Sequence, residues 1–200
     1  MTPTTIPTPE TPFTKILYVP RTMESGTVPQ RAPAYWVATW GVLGVALLLT
    51  QAIVRLSVVA IDPFVSGRGL TAFETTVCVA WVLVSLHSEG YRGFQKAFVP
   101  RTVARAFHLA SAPRPFLVAL APAFCMGLVH ARPRRLVTSW SIVLLIVLAV
   151  ILVRRLPSPW RSIVDLGVVA GLLWGVVALL ATFARALRGN VPVYPLDLPE

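Results

Sequence analysis

The sequence predicts an all-α, multi-pass transmembrane helical bundle, and two features of its composition lead to that class. The 200 residues are 56% hydrophobic and only 13% charged, whereas soluble domains carry about 25% charged residues. The apolar residues also form long unbroken runs, where a soluble core would distribute them at helical or strand period. We therefore expect an integral membrane protein.

Five apolar segments define the predicted helices. A helix needs about 20 residues to cross the hydrocarbon, and aromatic side chains such as Tyr35, Trp36 and Trp40 are typical interfacial anchors at the end of a run. The remaining boundaries follow from charged, glycine and proline residues between the runs. We place the five spanning helices at residues 35–54, 71–87, 115–131, 136–153 and 162–184.

The third segment has an alternative interpretation, because it is short and carries Pro122 near its middle. Proline removes a backbone donor and kinks a helix, and a membrane helix tolerates this only with support from neighbouring groups. The alternative is a bundle of four spanning helices plus a re-entrant third segment.

The two ends of the chain differ in composition from the predicted helical domain at residues 35–188. Residues 1–34 are rich in proline and threonine, so little apolar surface is available for burial and we expect a mobile, disordered tail. Residues 189–200 form a short C-terminal tail.

The charge balance indicates lipid contact and an orientation. The chain carries 18 basic and 8 acidic residues, a net charge of +10, and the basic residues lie in short groups between apolar runs. Such groups are typical of loops facing anionic head groups, and no nucleic-acid-binding motif accompanies them. Both topologies put more basic residues on the side of the N-terminus, so we expect that end to be cytoplasmic.

The abundance of arginine over lysine, with much alanine, valine and proline, is typical of a GC-rich bacterial genome. Together with the apolar segments, this predicts a multi-pass protein of a bacterial inner (plasma) membrane. Anionic lipids are the expected partners, with a membrane protein partner or self-association as further options.

Two acidic residues, Glu74 and Asp165, begin apolar runs. Each follows a hydroxyl residue by three positions, Thr71 and Ser162 respectively, which is the spacing of a capping box that satisfies free amide groups at a helix start. We expect these four residues to cap helices rather than relay ions.

Small residues at a spacing of four lie on two predicted helices. Such ridges let helix backbones approach closely in lipid, so we expect them to pack against other helices. The residues are Ala119, Ala123 and Gly127 on the third helix, and Gly167, Gly171 and Gly175 on the fifth.

The polar stretch after the second segment, SLHSEGYRGFQKAFVPRTVARAFH, contains the candidate functional residues. Residues 101–110 have apolar side chains on one helical face and basic ones on the other, which predicts an amphipathic helix lying in the membrane interface. The candidate polar interfacial site consists of His87, Glu89, Tyr91, Arg92, Lys96, Arg101 and Arg105.

Three functions fit this polar stretch. The favoured one is a non-enzymatic interaction or accessory component whose basic cytoplasmic loop contacts anionic lipid or a partner protein. A small-solute or ion transporter is the second. A membrane-embedded enzyme acting on lipid head groups is the third, with Glu89 or His87 as base; no catalytic residue can be assigned. The histidines and the cysteines Cys78 and Cys125 lack metal-ligand spacing, so we expect no metal and no cofactor.

Overall fold

The computed structural model describes residues 34–67 and 69–196, and these are helical with no β-strand among them. The predicted all-α class is therefore confirmed. The predicted mobile tail lies outside the described residues, apart from Ala34. The elements in chain order are α1 (Tyr35–Ala60), α2 (Asp62–Val65), α3 (Ala72–Ser85), a π-helical segment (Leu86–Phe98), α4 (Val99–Ser111), α5 (Pro115–Ala119), α6 (Ala121–Cys125), α7 (Pro133–Val153) and α8 (Trp160–Leu187).

Three of these helices, α1, α7 and α8, are long and apolar enough to cross a membrane. They have 26, 21 and 28 residues, and each contains the whole of one predicted span. Their length and composition indicate a membrane protein. The other two predicted spans have a different structure from the one that the sequence suggested.

The second predicted span does not end at residue 87. Helix α3 begins at Ala72 and continues through the π-helical segment into α4, which ends at Ser111. We call this uninterrupted run, Ala72–Ser111, the long helix, and its π-helical part, Leu86–Phe98, the π segment. The polar stretch therefore forms the middle of a helix and not a surface loop.

The third predicted span is not a continuous helix, so this prediction was wrong. Helix α5 ends at Ala119, and α6 begins at Ala121 after a break at Leu120. The break precedes Pro122, which has no amide hydrogen for a helical hydrogen bond. Gly127 follows with a positive φ of 76°, which glycine adopts readily.

The predicted ridge of small residues on that segment is consequently not formed. Ala119 and Ala123 belong to different short helices, and Gly127 lies in the turn after α6. The close approach is supplied from α1 instead. A Cβ atom at Gly41 would lie 2.8 Å from Sγ of Cys125, and one at Gly44 would overlap the ring of Pro122.

The long helix runs parallel to α8 along its length. At one end the rings of Phe73 and Trp160 are 6.5 Å apart, and at the other end those of Phe107 and Phe183 are 6.1 Å apart. Since residue numbers increase together along both helices, their directions agree.

Helix α1 is antiparallel to both of these helices. The ring of Tyr35, at its start, lies 6.2 Å from that of Phe107, and the hydroxyl of Ser162 donates a 2.8 Å hydrogen bond to the carbonyl of Val59, near its end. The apolar core lies at the end of the bundle that holds the start of α1. Its members are Val37, Ala38, Val42, Val45, Ala46, Val99, Val103, Ala106, Leu109, Ala110, Leu117, Ala121, Phe124, Cys125, Leu179, Phe183 and Ala186.

The glycine ridge of α8 lies in the contact with the long helix. A Cβ atom at Gly167 would overlap the indole of Trp81, and one at Gly175 would lie 2.7 Å from Cγ of Phe94. Glycine at these positions is therefore what allows the two helices to pack at this distance.

The two predicted capping boxes have different outcomes. The hydroxyl of Thr71 accepts a hydrogen bond from the amide of Glu74, and the carboxylate of Glu74 accepts one from the amide of Thr71, so this capping box is present. The second is absent because α8 begins earlier, at Trp160. Ser162 therefore lies within the first turn and bonds to α1, and Asp165 approaches Arg161 at 3.8 Å.

Helix α7 differs from the others in its exposure. Ser139 is the only buried residue of α7. In the first half of α7, the indole of Trp140 donates a 3.3 Å hydrogen bond to the carbonyl of Leu128. Leucine, isoleucine and valine side chains are exposed around the rest of its surface. Such a surface fits a helix surrounded by lipid.

We expect Gly175→Val to destabilise the bundle by about 1–3 kcal/mol, because the new side chain would have to displace Phe94. Unfolding of the purified protein in mixed micelles, followed by circular dichroism, measures this change. Ala181→Val adds a comparable side chain at an exposed position of the same helix and serves as the matched control. Equal stability of the two variants would contradict the packing described above.

Candidate functional site in the π segment

The π segment contains most of the polar residues that the sequence singled out. It spans 13 residues, whereas π-helices are rare, appear mostly as single turns and are frequent at functional sites. His87, Glu89, Tyr91, Arg92 and Lys96 all belong to it. The other two predicted site residues lie in α4, away from this group.

The apolar side of the π segment fixes its position against α8. Gly90 is buried, and a Cβ atom there would lie 3.0 Å from the side chain of Trp174. Phe94 occupies the space left by Gly175. The indole of Trp174 donates a 2.8 Å hydrogen bond to the side-chain oxygen of Gln95. This bond adds a polar link between α8 and the π segment.

The contact with α8 also defines the level of the site along the bundle. Gly171, Trp174 and Gly175 lie near the middle of α8, which extends from Trp160 to Leu187. The π segment therefore lies level with the centre of a helix that is long enough to cross a membrane. The sequence had suggested a site at the membrane surface.

The side of the π segment facing away from α8 is polar and exposed. The rings of His87 and Tyr91 are 5.9 Å apart, and the ammonium of Lys96 lies 4.5 Å from the centre of the Tyr91 ring. Arg92 is exposed as well, and its position four residues before Lys96 places both on the same side of a π-helix. We call the exposed side formed by His87, Tyr91, Arg92 and Lys96 the cationic face.

Glu89 occupies a separate place at the edge of the helix contact. Its Oε2 atom would lie 3.2 Å from a Cβ atom at Gly171, so the missing side chain of that glycine makes room for the carboxylate. The acid and the two cations of the π segment thus lie on different sides of it.

Arg105 is buried, and this corrects the prediction that it faces lipid head groups. Its side chain in α4 is only 1% exposed, and it donates hydrogen bonds to the carbonyl groups of Phe124, Val129, His130 and Leu196. The guanidinium also lies 4.3 Å from the centre of the Phe124 ring. A buried arginine needs such partners, and the broken third segment supplies all of these carbonyl oxygens except that of Leu196.

The predicted interfacial helix at residues 101–110 is therefore a packed helix. Thr102, Val103 and Ala104 are buried as well as Arg105, so both sides of the predicted amphipathic pattern contact protein. Arg101 donates a 3.1 Å hydrogen bond to the hydroxyl of Tyr194. Both arginines thus hold the C-terminal segment against α4.

His108 lies in the same helix, close to these cations. Among residues 34–67 and 69–196, no three histidine, cysteine, aspartate or glutamate side chains come close enough to hold a metal ion.

Several residues of these contacts were not identified from the sequence. Trp174 and Gln95 form the polar link between α8 and the π segment, and no motif marks that pair. Gly41 and Gly44, which contact α6, were detectable in principle, because two glycines three residues apart in an apolar helix indicate close helix packing.

The fold and the site define a class, an all-helical membrane protein with a polar π-helical segment beside a membrane-length helix. No family model matches the chain, and neither a curated protein nor a solved structure matches it significantly.

We expect Arg105→Met to release the third segment from α1, because the substitution leaves the carbonyl groups bonded to Arg105 without that donor. Cys125 is only 1% exposed and reports on this release. In a Cys78→Ser background, reaction of Cys125 with a water-soluble maleimide should become at least about tenfold faster, as expected for a loss of about 1.4 kcal/mol or more.

Arg101→Met is the matched control, since Arg101 bonds to Tyr194 and not to the third segment. Unchanged labelling of Cys125 in the Arg105→Met protein would show that other contacts hold the segment in place.

Proposed function

We propose that this chain is an interaction or accessory component of a membrane protein complex, and that its cationic face binds a partner protein within the bilayer. The observation that carries this proposal is the position of Arg92 and Lys96. Both are exposed, and the segment that contains them lies level with the middle of α8. Polar groups at membrane depth mark functional sites by default.

The proposal rests on a topology of four spanning helices, which are α1, the long helix, α7 and α8. Contacts of Phe73 and Phe107 with opposite ends of α8 support a full crossing by the long helix. This crossing contains the π segment, so the cationic face would lie near the centre of the hydrocarbon.

The third segment is re-entrant in this topology. Pro122 and Cys125 lie against Gly44 and Gly41, in the first half of α1. The chain then returns to Arg105 at residues 129 and 130. An entry and an exit at the same end of the bundle support a segment that turns back inside the membrane.

Both ends of the helical domain lie on one side in this topology, which is also the side richer in basic residues. By the tendency of positive charges to remain inside, we infer that this side is cytoplasmic. Composition supports a bacterial inner membrane as the location, as argued above.

The free-energy cost of charge in the hydrocarbon favours a partner at the cationic face. A charged side chain at the bilayer centre costs about 2.5–3.5 kcal/mol even on insertion scales that include relaxation. Arg92 and Lys96 lie at nearly the same depth in this topology, so this cost would apply to each of them if lipid tails covered them. A polar partner surface removes the cost.

Carrying a solute or an ion is the second candidate function. The position of Glu89 beside Gly171, level with the middle of α8, favours it, because carboxylates at this depth serve in ion and proton pathways. A carrier would lose flux on Glu89→Gln while still inserting into the membrane. An interaction component with the same Glu89→Gln substitution would still bind its partner.

Photo-crosslinking in native membranes tests the proposed function. A benzophenone amino acid in place of Ser88, which is exposed on the π segment, should yield an adduct with a protein of one discrete mass. The same amino acid in place of Leu144, which is 70% exposed on α7, is the control and should yield lipid adducts. Lipid adducts alone at both positions would refute the proposal.

A further inference from the structure

We propose that the cationic face binds a membrane-spanning helix that carries a carboxylate near its middle, held between Arg92 and Lys96. This inference rests on the proposed function and specifies the chemistry of the partner. It follows from the spacing of the two cations, from their surroundings within this chain and from their level in the bundle.

Arg92 and Lys96 are suited to hold one carboxylate together. They are four residues apart in a helix whose hydrogen bonds connect residues five apart, so their side chains leave the same side on successive turns. The guanidinium offers five donors and the ammonium three. Arginine can bind both oxygens of a carboxylate at once, which leaves further lone pairs for lysine.

A carboxylate of this chain beside the two cations would compete with that of a partner. Within the part of the chain that the structure describes, neither Arg92 nor Lys96 has a carboxylate within ion-pair distance. Glu89 is the acid of the π segment, and it lies against Gly171 at the edge of the α8 contact. The ring of Tyr91 beneath Lys96 stabilises the ammonium but leaves its N–H donors available.

The level of the site selects a protein carboxylate over a lipid phosphate. Head groups lie about 15 Å from the centre of a hydrocarbon core that is about 30 Å thick. The contacts of the π segment with Trp174 and Gly175 put the cationic face beside the middle of α8, beyond the reach of those phosphates. An acidic residue in a spanning helix is an anion that can occupy this level.

Synthetic spanning helices provide the test. A lysine-flanked leucine–alanine peptide carries aspartate, asparagine or leucine at its centre, together with an acceptor dye. It is reconstituted into neutral phosphatidylcholine vesicles with the full chain, labelled with a donor at Asn190→Cys in a Cys78→Ser, Cys125→Ser background. Energy transfer across a peptide titration at pH 8 measures the association.

We expect the aspartate peptide to associate about 3- to 15-fold more tightly than the leucine peptide, which is the range of interhelical polar contacts in membranes. The asparagine peptide should fall between them. Arg92→Gln with Lys96→Gln should reduce the aspartate peptide to the level of the leucine peptide. Arg154→Gln with Arg155→Gln, in the exposed turn after α7, is the matched control and should have no effect.

Two results would overturn the inference. The aspartate and leucine peptides could associate equally. The aspartate and asparagine peptides could associate equally, which would indicate hydrogen bonding without a role for charge. A protein adduct at Ser88 would leave the proposed function standing in either case.

Discussion

The contact between α8 and the long helix is the constraint on which the rest of the structure depends. Gly167, Gly171 and Gly175 remove side chains from one line of α8, and larger groups of the long helix, including Trp81 and Phe94, occupy that line. Helices in lipid gain no hydrophobic free energy from association, so close van der Waals contact of this kind must hold them. This contact also places the polar π segment level with the middle of α8, whereas its composition suggests a position at the membrane surface.

A second constraint acts at the end of the bundle that contains the start of α1. The break before Pro122 leaves backbone carbonyl groups outside regular helix, and the guanidinium of Arg105 bonds to several of them. One side chain thus connects α4, the third segment and the C-terminal residues. The guanidinium of Arg105 bonds to backbone carbonyl groups and does not face lipid head groups. The spacing of basic residues at 101–110 therefore did not indicate a helix at the membrane surface.

The sequence predicted the features that depend on composition and local spacing. The all-α class, three membrane-length helices and the Thr71 capping box follow from apolar runs and from one four-residue pattern. The sequence did not predict features set by contacts distant in the chain. The end of the second helix was misplaced because polar residues usually mark an exit from lipid, whereas here the π segment packs against Trp174 and Gly175 of α8 and the helix continues. Arg105 was misplaced because its acceptors lie about twenty or more residues away.

The continuity of the long helix connects the π segment to Arg105 and the carbonyl groups that it bonds. The π segment passes into α4 without a break, so its winding sets the rotation of everything that follows. Tightening even one turn from i→i+5 to i→i+4 hydrogen bonding would twist α4 about its own axis and carry the guanidinium of Arg105 away from its carbonyl acceptors. Such a change in the middle of the bundle would therefore weaken the hydrogen bonds that hold Tyr194 and Leu196 against α4.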